Sequence, residues 1–371
     1  MEVRSDHPLL TRNVWCVFGL PFDAVSLEEA SDHIYSAVQS GKKCFFSTPN
    51  LNFAVTAQSD ETFFESVIDS DLSLADGMPI IWLARILNIP LIERVAGSNV
   101  FSRLSERAGH KKVKVFFFGG MSGIAKTAHE KLNDSSQGME SCGYLDPGFV
   151  PVEDMSRPEI IETINNAEAD FIVVALGAKK GQQWIQENRE KLQAPVISHL
   201  GAVINFVAGH IQRAPLFFQK TGLEWLWRIL QEPTLWKRYW TDGSRFLTYI
   251  TTRAIPLALL DRRLRRKDAL GKSGSVSVEG LEKLIILLKG DIRSPDLSEI
   301  RKAFVSCLNR EGDVCVDFKE CTYIDSAFIA LLLLFQSFLK QENRVLELCN
   351  LPSDIHKLIR LSGVSERFDI V

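Results

Sequence analysis

The sequence predicts an α/β protein: an open, mostly parallel sheet with helices on both faces, then a basic aromatic helical appendage, then a second, small α/β domain. Three observations lead there. Short apolar runs of strand length alternate with stretches of helical period from Val14 to Leu200. Tryptophan, tyrosine, arginine and lysine then crowd Leu223–Arg266 in a pattern that is not a strand–helix repeat. After a short Gly/Ser-rich linker at Gly271–Ser275, the alternation resumes. A chain of 371 residues, 46% hydrophobic and 24% charged, is globular and too long for one ordinary core. The expected division is a core at 1–222, the appendage at 223–270 and the small domain at 271–371.

Taken in order, Val14–Leu20 reads as a strand, and Ser26 with Glu29 forms a capping box that opens a helix ending at Gly41. Lys43–Thr48 is a strand, Asn50–Ser70 is helical in one or two pieces, and Leu72–Asp76 is a strand. Met78–Leu87 is an apolar helix halted before Pro90. Val113–Phe118 is a buried strand closed by Gly119-Gly120, with a helix over Ser122–Leu132. Phe171–Leu176 and Val196–Leu200 are further strands flanking a helix through Gln183–Leu192. Beyond the linker come a strand at Leu281–Leu288, a helix at Asp296–Leu308, a strand at Val314–Phe318, an apolar helix at Ser326–Lys340, a strand at Arg344–Cys349 and a helix at Asp354–Leu361.

The net charge of −3 is uninformative, but its distribution is not. Arg228–Lys267 holds ten Lys/Arg against three acids, an electrostatic footprint for an anionic surface or ligand. Its helices carry an aromatic apolar face and a basic polar face, as expected at a membrane interface. The longest apolar stretch there, Ala254–Leu260, is far short of the roughly 20 residues of a membrane span. The seven cysteines are scattered and odd in number, with no metal-ligand spacing, which fits a reduced, cytoplasmic interior. The first residues lack an apolar signal core.

Three polar words interrupt the first apolar runs at predicted strand ends: Thr48-Pro49-Asn50, Asp76-Gly77 and Glu93-Arg94-Val95-Ala96-Gly97. In an open α/β sheet, ligands bind at the carboxyl ends of the strands. An amide, a hydroxyl, a carboxylate and a guanidinium converging there suit a charged, hydroxyl-rich substrate and a proton transfer, with Asp76 as general base. Asp-Gly is also an ordinary turn, and Arg94 is equally able to pair with Asp76 or Glu93. Gly119 and Gly120 join a strand to a helix, a geometry that offers backbone N–H groups to phosphate. They depart from the Gly-x-Gly-x-x-Gly dinucleotide pattern, which disfavours a nicotinamide oxidoreductase. No metal is expected, so phosphate charge falls to arginines such as Arg228 and Arg238. His199 and His210 are read as structural.

The succession Thr-Pro-Asn, Asp-Gly-Met-Pro, Glu-Arg-Val-Ala-Gly, Phe-Phe-Gly-Gly, Gly-Tyr-Leu, Ala-Leu-Gly-Ala, Arg213-Ala-Pro and Gly222-Leu-Glu-Trp-Leu-Trp-Arg closely resembles the WecG/TagA/CpsF family of bacterial glycosyltransferases from about Val14 to Tyr239. The resemblance implies a Rossmann-like core and an inverting transfer, without an essential metal, from a UDP-sugar, often of N-acetylmannosamine type, to a polyprenyl-diphosphate-linked acceptor at the inner face of the cell membrane. It implies that Asp76 is the catalytic base and that Thr48, Asn50 and Arg94 line the active site. It also implies that Arg228 and Arg238 complete the site over the diphosphate. Two departures stand out. Gly177-Ala-Lys-Lys-Gly-Gln-Gln-Trp184 replaces the usual Gly-x-Pro-Lys-Gln-Glu-x-Trp, leaving Gly181 and Gln182 at the glutamine and glutamate positions, and Asn205 stands where Asp is common. Gln182, or its neighbour Gln183, and Asn205 are expected to bind substrate in their stead; an impaired, sugar-nucleotide-binding sensor or scaffold is the alternative.

From Val276 the chain resembles a STAS domain, through Val314-Cys-Val-Asp-Phe and Tyr323-Ile-Asp-Ser326. Ser326 matches the serine phosphorylated in anti-sigma-factor antagonists, so it is expected either to regulate binding of a protein partner or merely to cap its helix. No cofactor and no nucleic acid are expected; homo-oligomerisation is left open.

Overall fold

The computed structural model describes residues 7–107, 109, 111–212, 214–267, 274–280, 283–294 and 297–371. Arg213 of the motif succession, the start of the linker at Gly271–Ser273, and the expected element starts Leu281 and Asp296 lie outside them. The chain divides into two compact units: Val25–Ile81 with Ile92–Gly243, and Met1–Ala24 with Trp82–Leu91 and Ser244–Val371.

In chain order, helix α1 (Pro8–Thr11) precedes strands β1 (Val14–Val17) and β2 (Leu20–Asp23), and α2 spans Leu27–Ser40. The single strand expected over Val14–Leu20 is therefore an antiparallel hairpin with Val17 opposite Leu20. Its two-residue turn has positive φ at both Phe18 (54°) and Gly19 (78°), the geometry whose twist matches paired strands.

The larger unit is built on strands β3 (Cys44–Ser47), β4 (Leu72–Ser73), β5 (Val113–Gly119), β6 (Met139–Leu145), β7 (Phe171–Ala175) and β8 (Val196–His199). They form one sheet in the order β4-β3-β8-β7-β5-β6, parallel at every pairing. Strand β4 is two residues long, so Asp76 lies beyond the strand, not in it as the sequence suggests. Helices α3 (Leu51–Ala57), α4 (Glu61–Ile68), α5 (Met78–Ile86), α6 (Gly97–Glu106), α7 (Ile124–Ser135), α8 (Val152–Met155), α9 (Pro158–Asn166), α10 (Ala178–Asn188) and α11 (Val203–Val207) connect the strands. Side chains alternate between two cores: Val113, Val115 and Phe117 enter one with α2, α6, α7 and α11, while Phe116 and Phe118 enter the other with α8, α9 and α10. A parallel sheet covered on both faces has this continuous apolar character, and each buried Phe contributes about 1.5–3 kcal/mol. The appendage begins with α12 (Leu216–Thr221), α13 (Glu224–Gln231) and α14 (Trp236–Tyr249).

In the second unit a π-helical turn, Ile250–Ala254, leads into α15 (Ile255–Lys267). Strands β9 (Ser275–Glu279), β10 (Leu284–Ile292), β11 (Val314–Ile324), β12 (Leu346–Cys349) and β13 (Asp369–Ile370) form a mixed sheet with α16 (Leu297–Leu308), α17 (Ser326–Gln341) and α18 (Ser353–Leu361). Helix α17 is buried nearly all round because the N-terminal hairpin packs against it, and α15 packs on α18. Phe18 stacks on Tyr249, with ring centroids 3.9 Å apart, and Arg301 donates to the Leu9 carbonyl at 2.5 Å. Cys315 and Cys349 are paired as a disulfide, where the scattered cysteines had suggested a reduced interior. The parallel register of β11 and β12 places them on adjacent strands, two residues out of step. The cap of α17 is Asp325, whose side chain accepts from the Phe328 N–H; Ser326, expected as the alternative cap, is the first helical residue.

Candidate active site

Strand β3 delivers Thr48-Pro49-Asn50 to the carboxyl edge of the sheet. Asn50 caps α3, its Oδ1 accepting from the Phe53 N–H at 3.2 Å. The Asp76 N–H donates to the Pro49 carbonyl at 3.1 Å, the Leu74 N–H to the Ser47 carbonyl at 2.9 Å, and the Val95 N–H to the Ala75 carbonyl at 2.9 Å. Main-chain bonds thus stitch all three polar words into one crevice. Gly97 closes it from the third word: a Cβ there would fall 2.4 Å from Leu200 Cδ2 and 3.2 Å from Thr48 Cγ2, so any larger residue would have to displace those side chains.

Asp76 is half-buried beside Arg94. Burial opposes the charge on Arg94, but the carboxylates of Asp76 and Glu224 outweigh it and raise the guanidinium above its ordinary pKa. Arg94 forms an ion pair with Glu224, at the start of α13. Glu93 is engaged elsewhere, its Oε1 accepting from the Leu27 N–H at 2.7 Å at the start of α2. Asn52 on α3 donates to Asp242 Oδ2 at 3.1 Å, a second tie between the crevice segments and the appendage. Neither Glu224 nor Asp242 was singled out from sequence; their only signal was an acidic residue in a basic, aromatic run.

Gly119 and Gly120 both have φ of 95°. The Gly120 N–H donates to the Ala175 carbonyl at 2.8 Å, and a Cβ on Gly119 would fall 2.9 Å from that oxygen. The loop is thereby pressed against the end of β7, and α7 starts after Gly123 with no side-chain cap on its leading N–H groups.

Gln182 is not in the open crevice. It is 1% exposed, its Nε2 donates to Ser47 Oγ at 3.0 Å, and its carbonyl oxygen has no partner among the described residues. Gly181 is where His199 packs: a Cβ at 181 would fall 2.1 Å from the imidazole Cδ2. His199 is buried, donates from Nε2 to the Leu176 carbonyl at 2.6 Å, and has its pKa lowered by burial.

Asn205 sits on α11, its Oδ1 buried without a partner. Arg228 on α13 pairs with Glu232 at 3.4 Å and lies over the Phe206 ring, 6.0 Å from its centroid, with its Nε unpartnered. Arg238 is exposed on α14 over the Tyr239 ring at 5.0 Å; among the described residues no hydrogen bond or ion pair joins it to the crevice. The structure thus gathers Thr48, Asn50, Asp76 and Arg94. It places Asn205 and Arg228 together on another helix pair, and leaves Arg238 outside the hydrogen-bonded set. Ser326 lies in the other unit, its Oγ buried and without a partner.

Residues 15–258 match the Glycosyl transferase WecG/TagA/CpsF family, and residues 277–371 match a Mlab-type STAS domain. Among similar proteins is the N-acetylglucosaminyldiphosphoundecaprenol N-acetyl-beta-D-mannosaminyltransferase of Bacillus subtilis, 30% identical over 55% of this chain and 78% of its own length. The enzymes of the same name from Bacillus spizizenii and Staphylococcus aureus are 28% identical (54% of this chain, 76% of theirs) and 24% identical (60% and 85%). The chain therefore belongs to the WecG/TagA/CpsF glycosyltransferase family, as a hexosyltransferase that carries a C-terminal STAS domain.

Proposed function

We propose that the protein moves a hexose of N-acetylmannosamine or related type from a UDP-sugar to a polyprenyl-diphosphate-linked acceptor, with inversion and without a metal, in assembly of a surface or secreted polysaccharide. The observation that carries this is the convergence of Asp76 with Arg94, Thr48 and Asn50 at the end of β3. The acceptor hydroxyl attacks the anomeric carbon, the bond from that carbon to the UDP oxygen breaks, and Asp76 takes the hydroxyl proton. Arg94, Arg228 and the uncapped leading N–H groups of α7, just beyond Gly119-Gly120, are assigned to the departing phosphate charge. The relatives' printed name, which specifies a sugar on diphosphoundecaprenol as acceptor, supports the choice of acceptor class.

We assign Thr48 and Asn50 to the donor sugar, and Gln182 to holding the end of β3 through Ser47. Arg238 is assigned to the membrane-bound state. Trp225, Trp236, Trp240 and Leu247 are exposed on the basic appendage, and no helix among the described residues is long and apolar enough to cross a membrane. Peripheral binding to an anionic inner leaflet follows, worth about 1 kcal/mol per basic residue near the surface. Incubation with a panel of UDP-sugars and a short-chain lipid-linked acceptor, followed by mass analysis of the product, tests the reaction. A glycosylated acceptor is the expected result.

The sensor or scaffold reading rests on Gly181 and Gln182, neither of which presents a free side-chain amide to the crevice. Donor binding by calorimetry with no product from any acceptor supports that reading and overturns the first.

A further inference from the structure

Helix α13 presents its charges inward and its apolar side chains outward. The side chains of Glu224 and Arg228 are 27% and 23% exposed, whereas Trp225 is 42% and Leu230 66% exposed. A surface helix ordinarily does the reverse, burying an apolar stripe and solvating its charges. Covering a carboxylate and a guanidinium costs desolvation that only well-placed partners offset. The partners of this inward face therefore say what the helix is for.

Glu224, Arg228 and Glu232 recur every fourth residue and share one face of α13. Glu224 lies in the first turn, where a carboxylate complements the positive end of the helix, and its partner is Arg94 Nη1 in the third polar word. One turn further, Arg228 lies over the Phe206 ring, 6.0 Å from its centroid. Trp227 Nε1 and Gln231 Nε2 donate to the Gln212 carbonyl, each at 3.3 Å, and fix the helix to the segment that precedes the appendage. Those bonds do not reach the crevice; the Glu224 bond does.

Arg94 stands between two carboxylates, Asp76 and Glu224, and both attract its charge. A guanidinium carries five N–H donors in a rigid plane. Holding Glu224 through Nη1 sets the tilt of that plane and leaves other donors for a phosphate oxygen. Without Glu224, the carboxylate left to draw the guanidinium is Asp76, the group assigned to take the proton. Helix α13 then also loses the contact that keeps Arg228 on the same side as Arg94.

We propose that Glu224 is a positioning residue, whose ion pair with Arg94 seats α13 and sets the guanidinium groups of Arg94 and Arg228 to receive the donor diphosphate. The inference rests on the UDP-sugar donor proposed above and adds a residue to that site. Glu224 takes no proton, and its bond to Arg94 persists when the donor binds.

Calorimetry with UDP and ligand-observed NMR with uridine, both on the full-length protein, separate the diphosphate from the nucleoside. Glu224→Gln keeps the shape and removes the charge. It is expected to weaken UDP about tenfold, to leave uridine binding unchanged and to lower kcat, because charge on the leaving phosphate grows in the transition state. Glu224→Asp keeps the charge and is expected to recover most of the lost affinity. In an Arg94→Gln background, Glu224→Gln is expected to weaken UDP no further, since it acts through Arg94. UDP affinity that Glu224→Gln leaves unchanged overturns the inference and leaves the donor reading standing. Tighter UDP binding overturns it as well, because Glu224 would then compete with phosphate for the guanidinium. A loss shared equally by UDP and uridine marks a general loss of structure and has the same consequence, as does a loss undiminished in the Arg94→Gln background. No UDP binding by the wild type overturns the donor reading, and this inference with it.

Discussion

Two aspartates in this molecule follow a strand and open a helix, and they have opposite surroundings. Asp325 ends β11, is 5% exposed, and accepts from the N–H groups of Phe328 at 2.9 Å and Ser294 at 2.6 Å. Burial raises its pKa despite those bonds. Asp76 follows β4 at a half-buried position, tied through its own N–H to Pro49, with the Arg94 guanidinium as its charged neighbour. The first carboxylate is committed to the backbone it caps; the second faces a cation at the edge of a crevice. A carboxylate's role follows from what competes for its lone pairs, and neither Asp-Gly nor Asp-Ser in the sequence reveals that.

The units themselves offer the strongest way to break the comparison. If the second unit is architecture, ending the chain after residue 270 strips α17 from the hairpin and exposes Leu20 and Phe22, both fully buried. The expected outcome is loss of soluble, cooperatively folding protein, measured by expression yield and thermal melting. A soluble product with an unchanged Tm contradicts it. Within that unit, Asp325→Ala leaves two N–H groups without their acceptor and is expected to cost about 2–3 kcal/mol in denaturant unfolding. Asp76→Asn is expected to cost less than about 0.5 kcal/mol in the same measurement.

Legibility from sequence followed range. Strand and helix periods were readable because both faces of the β3–β8 sheet are buried, which makes Phe171–Ala175 and its neighbours continuous apolar runs. The polar words stood out as interruptions of those runs. The hairpin turn did not, since Phe18 at positive φ is no turn signal and only Gly19 hinted at it. Strand β6 was missed because Met139–Leu145 is a partly exposed edge strand broken by Gly143. The pairing of Arg94 with Glu224, 130 residues apart, and the packing of His199 into the space at Gly181 are tertiary facts with no local trace.

The Gly181–His199 contact gives a sharper test in the first unit. Gly181→Ala is expected to destabilise by about 1–3 kcal/mol through the clash with the imidazole. The double variant with His199→Ala should lose less than the sum, a coupling readable in a double-mutant cycle. A smaller effect comes from pH. Because the folded pKa of His199 lies below the unfolded value of 6.5, the unfolded chain binds more protons just below that value. The contribution of neutral His199 is therefore complete above pH 6.5 and is lost as pH falls toward the folded pKa. His199→Phe is expected to flatten that part of the stability profile. An identical slope in wild type and variant removes the imidazole from the account.

The most direct measurement of the central claim is the transfer rate of Asp76→Asn at saturating donor and acceptor. Loss of the general base predicts a fall in kcat of roughly 10²–10⁴-fold with donor affinity retained. A variant that transfers sugar at the wild-type rate contradicts the role given to Asp76.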